Sequence, residues 1–374
     1  MKNVRQTNLN IHRDSWVEIN IGNLAHNAKE IRKNVPSDTK LLAVVKADSY
    51  GHGSVMLAPT LLASGFDMLG VASIDEGVDL RNAKINCEIL VLGAVPVWAV
   101  ETAVQEDISI PVFSDAHLEA CHQAYLRTGQ KPKVHVKIDT GMNRIGIGYD
   151  RAIDFIKKVQ SSDFVDLKGI FTHLAVAEDR EKTQIQIDRW NNVISNIDTT
   201  GLLLHIQNTV GTMCYDIPLS NMRRVGIALY GLYTDMPNDN KGFRPNLKQV
   251  ISLKGRIVHI HDVKDHEGVS YGFTYRAKGT RTIATIPIGY ADGVSRGLSN
   301  KIYGVLNGQK VPQVGNITMD QMMFDITGVK AEIGDVITLL DEENSIDEWA
   351  RILNTINYEL TCRLKVRLPR VYTR

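Results

Sequence analysis

The chain has 374 residues, of which 43% are hydrophobic and 23% are charged, and its formal net charge is +1. This length exceeds that of one typical domain and suits two. The near-neutral charge gives no electrostatic reason to expect nucleic acid or an acidic membrane surface as a partner.

Four cysteines are scattered through the chain with no short spacing between them. This pattern argues against a zinc site and against a disulfide framework, so we expect no metal and a reducing compartment. No apolar run approaches the roughly 20 residues that a membrane span needs. Residues 1–14 lack the apolar segment of a signal peptide. Together these features predict a cytoplasmic protein.

Short apolar runs alternate with helical patterns between residues 40 and 232. Helical spacing of apolar residues is clear at 149–161, and 181–197 also has a helical pattern. Such alternation is typical of parallel strands joined by crossover helices. Eight units predict an α/β fold with a closed (β/α)8 barrel, and an open doubly wound sheet is the alternative. The predicted strands are 41–47, 68–72, 88–93, 109–114, 133–139, 168–174, 202–208 and 223–229.

The pattern changes after about residue 245. Turn signals such as Asn307-Gly308 separate short strands, which indicates a mostly antiparallel β domain. One helix is predicted at 345–356. The segment 236–245, rich in Pro, Asn, Asp and Gly, marks the boundary, so the predicted domains are 1–245 and 246–374. The predicted strands of the second domain are 249–263, 280–288, 301–306, 334–340 and 360–371.

Lys46 ends the first buried strand and is followed by a Tyr-Gly-His-Gly turn. Burial disfavours the ammonium form and lowers the pKa of a lysine, so its amine becomes available as a nucleophile or base. The alternative is a lysine whose charged end reaches solvent from the strand end. Active-site groups of a barrel lie just past the carboxyl ends of its strands. The polar residues at such ends are Lys46, Arg144, His173, Asn208, Thr209 and Gly226.

Arg144 and Thr209 suggest that this edge binds an anion. An arginine at the position of Arg144 can hold an anionic oxygen with fixed geometry, although an ion pair with Asp139 or Asp150 explains it equally well. The Thr209 hydroxyl and the Gly226 amide suit a phosphate. The chain has no Walker-type glycine loop, so we expect the phosphate of a small molecule rather than of a nucleotide.

Three strings resemble motifs of the alanine racemase family. Residues 41–53 resemble its lysine motif, 134–146 its lysine-to-arginine loop, and 269–275 its tyrosine motif. The resemblance extends from Trp16 to Tyr372. It implies a TIM barrel followed by a β domain, and a pyridoxal 5′-phosphate cofactor joined to Lys46 as a Schiff base. It further implies an isomerase that works as a homodimer with composite active sites.

The resemblance also assigns residues to the cofactor, although the family usually has serine where this chain has Thr209. In the family, the arginine that matches Arg224 faces the pyridine nitrogen and the histidine that matches His205 supports it. Arg223 is adjacent, and a slip of one residue along the strand would select it instead. In some members the lysine that matches Lys137 is carbamylated and steadies the arginine that matches Arg144. The implied cofactor-binding residues are Lys46, Tyr50, Arg144, His173, Asn208, Thr209, Arg224, Gly226, Ile227 and Tyr358.

Racemisation requires that a proton leave one face of Cα and return on the other, so two opposed bases are expected. Lys46 and Tyr271 take these roles in the resemblance, whereas a tyrosine alone is more often a core or interface aromatic. In the resemblance, Arg144, Tyr290 and Met319 bind substrate, Met319 through its backbone amide. Asp320 supports them, and Thr318 stands where many relatives have cysteine.

The leading hypothesis is an alanine racemase that interconverts L- and D-alanine and supplies D-alanine for peptidoglycan. A serine or broad-specificity racemase of the same fold is the nearest alternative, because one methylene or hydroxyl gives only about 1–3 kcal/mol of discrimination. A pyridoxal phosphate-binding protein without turnover is more distant. A barrel decarboxylase is disfavoured, because its glycine-rich phosphate loop is missing and Arg224 opposes the electron sink it needs.

Overall fold

The computed structural model describes residues 12–239, 241–364 and 367–374. The described part begins with one strand and one helix and then alternates between strands and helices. Its first elements are β1 Ser15–Asn20, α1 Ile21–Arg32, β2 Lys40–Val44, α2 Lys46–Gly51, α3 Ser54–Ala63, β3 Met68–Val71, α4 Ile74–Asn82, β4 Glu88–Val91, α5 Val100–Gln105, β5 Ile110–Val112, α6 Asp115–Thr128, β6 Lys133–Asp139, β7 Ile147–Gly148, α7 Ala152–Gln160, β8 Asp166–Phe171, α8 Arg180–Ile194, β9 Leu203–His205, α9 Thr209–Cys214 and β10 Met222–Val225.

The parallel strands of this half close into a barrel. Strands β10-β2-β3-β4 form one sheet and β5-β6-β8-β9 another, with the short β7 beside β6. A parallel bridge between Leu90 and Ser109 joins β4 to β5. On the other side, the Asn221 amide donates to the Leu204 carbonyl at 3.0 Å, which joins β9 to β10. The predicted (β/α)8 barrel is therefore confirmed, and the open doubly wound sheet is wrong.

Helix α7 shows why the segments between strands coil and pack against the barrel. Ala152, Ile156 and Val159 are buried on one face, while Lys157 and Lys158 are exposed. This 3.6-residue periodicity places the apolar stripe of the helix against the strands. Polar caps begin several of the other helices, as at Ser114, whose hydroxyl accepts from the His117 amide. Such a cap contributes about 1 kcal/mol.

The second half is built mainly from antiparallel strands. A nine-stranded sheet has the order β12-β15-β18-β17-β16-β19-β11-β1-β20 within the described residues, and β13 pairs with β14. Its elements are β11 Ile251–Arg256, β12 His259–Val263, β13 Gly268–Val269, β14 Tyr275–Arg276, β15 Arg281–Ile286, β16 Tyr303–Leu306, β17 Gln309–Val314, β18 Met322–Asp325, β19 Val336–Leu340, α10 Ile346–Leu353, α11 Asn357–Arg363 and β20 Arg370–Thr373.

The antiparallel β domain is confirmed, and its sheet includes one strand from the beginning of the described residues. Strand β1 pairs with β11 and, in parallel, with β20, so the beginning of the described chain lies in this sheet. The sequence interpretation missed β1, β7, β13, β14, β17 and β18. The division into domains 1–245 and 246–374 stays a prediction.

Three predicted strands differ most from the structure in extent or type. The segment 249–263 is two strands, because β11 pairs with β19 while β12 leaves it to pair with β15. The segment 360–371 begins as helix α11, whose Leu360 and Leu364 are buried four residues apart, as helical packing requires. The segment 223–229 leaves the strand after Val225 and forms a 3₁₀ turn at Ile227–Tyr230.

Across the described ranges, no helix combines the length and the apolar character needed to cross a membrane.

Candidate active site

A cavity of about 420 Å³ lies where the barrel strands end at their carboxyl termini. Polar and titratable side chains from five of these strand ends meet there, and Tyr358 reaches it from α11. The structure thus brings together every residue predicted to bind the cofactor. Those lining the cavity are Lys46, Tyr50, Arg144, His173, Asn208, Thr209, Arg224, Gly226, Ile227 and Tyr358, with Lys137 beside them.

Lys46 begins a left-handed helical turn. The four residues from Ala47 to Tyr50 have φ between 51° and 55°, a region that costs about 1–2 kcal/mol for each residue with a Cβ. Glu76 holds the turn in place, because its carboxylate accepts from the amides of Ala47 and Ala72, both at 2.7 Å. The sequence interpretation did not identify Glu76, since nothing in its local pattern distinguishes it from a surface helix residue.

The Lys46 amine is chemically primed by its surroundings. Burial lowers its pKa below the ordinary value, and the positive charge of Arg144 lowers it further, while Glu76 opposes both. A lysine with a lowered pKa carries more free amine at neutral pH. Lys46 can therefore act as a nucleophile towards a carbonyl or as a base.

Arg224 is fixed inside the barrel by protein acceptors. Its Nη1 donates to the His205 carbonyl at 2.8 Å and to His205 Nδ1 at 2.9 Å, and its Nη2 donates to the Thr172 carbonyl at 2.7 Å. Among the described residues, no hydrogen bond engages the Nε–H, which leaves one donor for a ligand in the cavity. The neighbouring Arg223 faces the outside of the barrel and donates to the Thr212 carbonyl.

Two buried histidines support Arg224 from behind. His205 Nε2 lies 3.1 Å from Nδ1 of His135, and both rings are fully buried. Burial and the charge of Arg224 lower the pKa of both, that of His135 to about 3. His205 is therefore neutral, accepts from Arg224 at Nδ1 and donates from Nε2. Sequence reasoning missed His135, whose one signal was a polar residue two positions before Lys137 on the same strand face.

Lys137 lies on the inner face of β6, 4% exposed, with its ammonium 4.6 Å from the centre of the Phe171 ring. Burial and the charges of Arg224 and Arg144 hold its pKa well below the ordinary value. A neutral amine is the form that reacts with carbon dioxide, so the site is chemically suited to carbamylation. Carbamylation of Lys137 stays a proposal.

Backbone amides and a hydroxyl group also line the cavity, around Thr209 and Gly226. The Thr209 hydroxyl accepts from the Gly226 amide at 3.0 Å, and the Asn208 side chain caps α9 by accepting from the Gly211 amide. A Cβ at Gly226 would lie 2.5 Å from the Tyr50 hydroxyl, so only glycine fits there. These groups form a cradle for a small anion such as a phosphate.

Tyr271, Tyr290 and Met319 do not line the cavity of their own chain. Their exposed fractions are 74%, 41% and 54%, high for large apolar or aromatic side chains. Tyr271 occupies a tight turn, which Asn316 fixes by donating to the Tyr271 carbonyl at 2.7 Å. The nearby Asp320 pairs with Arg367 at 2.5 Å. The structure places these four residues on the surface of the β domain.

Comparison with known proteins agrees with this arrangement. Residues 19–234 match the family model "Alanine racemase, N-terminal domain" and residues 250–372 match "Alanine racemase, C-terminal domain". Alanine racemase 1 of Oceanobacillus iheyensis is 38% identical, covering 96% of this chain and 98% of the relative. An alanine racemase of Nostoc sp. is 37% identical, and the match covers 96% of this chain and 95% of that relative.

Solved structures give the same result. The alanine racemase of Clostridium difficile 630 superposes with a TM-score of 0.90 at 36% identity, covering 97% of this chain and 96% of that one. The Bacillus anthracis alanine racemase with bound L-Ala-P has a TM-score of 0.87 at 34% identity, with the same coverage. Both domains therefore match in sequence and in fold, and the chain belongs to the alanine racemase family.

Proposed function

We propose that this protein interconverts L-alanine and D-alanine with pyridoxal 5′-phosphate bound in the barrel cavity. The observation that carries the proposal is that the barrel cavity is lined both by a lysine amine of lowered pKa and by Arg224, whose Nε–H no acceptor of the described residues engages. An enzyme that bound only an amino acid would need neither a primed amine nor a donor fixed this rigidly.

The side chains present fit the cofactor at three points. Lys46 offers the amine for its aldehyde, Arg224 offers the Nε–H for its ring nitrogen, and Thr209 with Gly226 offers a cradle for its phosphate. When bound, pyridoxal phosphate supplies an electron-withdrawing system that acidifies the Cα proton of an attached amino acid. Arg144 lines the same cavity and offers a guanidinium for a phenolic oxygen or for the substrate carboxylate.

Two residues handle the proton on opposite faces of Cα. The free amine of Lys46 accepts or returns the proton on one face. Tyr271 of a second copy handles the proton on the other face, because the exposed Tyr271 of the same chain is not part of the cavity. We therefore propose a homodimer in which each site combines Lys46 of one protomer with Tyr271 of its partner. Tyr290 and Met319, on the same exposed surface, line the entry and hold the substrate carboxylate.

Arg224 confines the reaction to proton exchange. Burial lowers its pKa to about 9, so the guanidinium stays charged at neutral pH and can only donate. Arg224 would therefore donate to the ring nitrogen of a bound cofactor and would leave that nitrogen unprotonated. With its ring nitrogen unprotonated, the cofactor would supply a weaker electron sink, so proton exchange at Cα would be favoured over transamination and decarboxylation. The D-alanine formed would serve as a peptidoglycan precursor, and the cytoplasmic location stays a prediction.

Chiral chromatography after incubation with L-alanine, L-serine and L-arginine tests this proposal. We expect D-alanine to form fastest. Faster formation of D-serine or D-arginine would assign a racemase of other or broad specificity, and no D-amino acid at all would leave a binding protein. Borohydride reduction followed by peptide mapping should place the cofactor on Lys46, and a label on another lysine would contradict the assignment.

A further inference from the structure

Asp292 is a buried carboxylate of the β domain that the proposed reaction does not use. It ends the turn Tyr290–Asp292, and its side chain has no exposed surface. Two arginines from distant parts of the chain reach it. Arg13, which precedes β1, donates to both carboxylate oxygens, and Nε of Arg367, which precedes β20, lies 3.0 Å from Oδ1. Such a buried carboxylate is held firmly, because its removal would leave the guanidinium charges without their partner.

The same carboxylate closes the turn that carries Tyr290. Its Oδ2 accepts from the Gly289 amide at 2.9 Å, and the Asp292 amide donates to the Gly289 carbonyl at 3.0 Å. Arg13 also donates to the Pro287 carbonyl at 2.7 Å, at the beginning of this segment. The position of the Tyr290 backbone therefore depends on Asp292 and its arginines.

This turn is joined to the loop that carries Met319. The Tyr290 amide donates to the Thr318 carbonyl, and the Ala291 amide donates to the Met319 carbonyl, both at 3.0 Å. A Cβ on Gly289 would lie 2.3 Å from the carbonyl oxygens of Thr318 and Met319, so only glycine allows this close approach. The turn and the loop therefore form one hydrogen-bonded unit.

Arg367 connects the two parts of this unit a second time. While its Nε pairs with Asp292, its Nη2 lies 2.5 Å from Oδ1 of Asp320, the residue after Met319. One guanidinium thus bridges the carboxylate of the Tyr290 turn and the carboxylate beside Met319. Among the described residues, no acceptor engages the Met319 amide, so this N–H is available to a ligand carboxylate.

We propose that Asp292 and Arg367 are positioning residues, which hold Tyr290 and Met319 in the geometry that binds the carboxylate of alanine. This inference rests on the proposed function, in which Tyr290 and Met319 line the entry to the barrel cavity of a second copy. Asp292 and Arg367 act through the two loops and not on the reacting atoms. Their loss should therefore weaken substrate binding and leave proton transfer by Lys46 and Tyr271 largely intact.

Racemisation kinetics of the full-length enzyme loaded with pyridoxal phosphate test this role. Arg367→Gln should raise the KM for L-alanine at least about fivefold, and Asp292→Asn at least about tenfold, each with kcat within about twofold of the wild type. Propionate, which is alanine without its amine, should lose affinity as a competitive inhibitor by a similar factor. An unchanged KM in Arg367→Gln, or a loss of kcat at unchanged KM, would overturn the proposal.

The choice of variants separates positioning from a failure to fold. Arg367 has a side chain that is 40% exposed, so Arg367→Gln should fold normally and decides the test even where the buried Asp292→Asn does not fold. Lys254→Gln is the matched control. It removes a cation that pairs with Glu18 at 2.9 Å in the same β sheet, outside both loops, and it should keep the KM of the wild type.

Nuclear magnetic resonance of protein labelled with ¹³C-methyl methionine gives a second readout that needs no turnover. The Met319 signal, assigned with Met319→Leu, should shift in Arg367→Gln and keep its position in Lys254→Gln. An unchanged Met319 signal in Arg367→Gln would contradict the positioning role. Absence of alanine racemisation by the wild type, with a Met319 signal that shifts as expected, would contradict the proposed function and leave the positioning of this loop supported.

Discussion

The mouth of the barrel and the exposed face of the β domain carry two halves of one proposed site in opposite physical states. At the barrel mouth, Lys46, Lys137 and Arg224 are wholly or largely buried and held within a single chain. On the β domain, Tyr271 and Met319 are more than half exposed and do not line the barrel cavity of their own chain. Burial lowers the pKa values of the first group.

This difference indicates which part of the molecule must supply the charged environment that a catalytic tyrosine needs. A catalytic tyrosine needs cationic neighbours, because its ordinary pKa is near 10. The barrel mouth has an excess of such charges, from Arg144, Arg224 and Lys46. Placing the β domain of one copy over the barrel of another would satisfy both halves at once, which is the isologous arrangement of a twofold dimer.

The largest effect should follow removal of the barrel amine. Lys46→Ala should lower racemisation by at least about 10³-fold, since it removes both the cofactor anchor and one base. Enantiomer exchange and the cofactor absorbance measure this loss. Lys40→Ala, at the exposed beginning of the same strand, is the control and should keep full activity. Near-normal racemisation by Lys46→Ala would remove it from the mechanism.

Loss of the exposed tyrosine should separate the two directions of the reaction. Tyr271→Phe should slow Cα proton exchange of one alanine enantiomer by about 10²–10⁴-fold and affect the other far less. Its melting temperature should change little, because the substitution removes only a hydroxyl and keeps the ring. Exchange into deuterated water measures each enantiomer, and Tyr275→Phe, whose hydroxyl bonds to Asp325, is the control. Small and equal losses would exclude Tyr271 as a base.

The features of the barrel mouth were predictable from sequence to different degrees. Alternation of strands and helices placed Lys46 and His173 at strand ends, and a barrel brings all such ends together. Arg224 was assigned through the family resemblance. The left-handed turn after Lys46 was not predictable, because Ala47 to Tyr50 have no local preference for it and Glu76, distant in sequence, holds it. Period-two alternation alone could not choose between Arg223 and Arg224, since it does not indicate which face is inside.

The helical turn around Lys46 offers a smaller, structural test. Glu76→Gln keeps one acceptor but presents an amide NH₂ to the second backbone N–H, so one of the two hydrogen bonds is lost. The free energy of unfolding should fall by about 1–3 kcal/mol, and cofactor affinity should fall with it. Denaturant titration measures the first effect. The control is Asp75→Asn, an exposed neighbour, which should change neither the free energy of unfolding nor the cofactor affinity. An unchanged free energy of unfolding in Glu76→Gln would contradict the proposed role of Glu76 in holding the turn.

The last test concerns the change in stability per unit of pH. His52 is fully buried and donates to the Ser49 carbonyl of the same turn, and burial lowers its pKa to about 4. Between about pH 6.5 and 4 the unfolded chain takes up a proton that the folded chain does not, so stability falls as pH falls. This contribution reaches about 1.4 kcal/mol per pH unit.

The variant His52→Asn retains a donor that does not titrate, so its unfolding free energy should depend less steeply on pH in this range. The exposed His266→Asn should keep the slope of the wild type. An unchanged slope in His52→Asn would show that His52 does not contribute to the acid sensitivity.

Activity of mixed dimers tests the central claim most directly. Lys46→Ala and Tyr271→Phe chains are each inactive in the composite arrangement, but a dimer of one of each contains one site with both native residues. Random pairing of equal amounts, by co-expression or by unfolding and refolding together, should therefore restore about one quarter of the wild-type activity. If each chain instead used its own Lys46 and Tyr271, the mixture would stay as inactive as its parts, and the two-chain site would be contradicted.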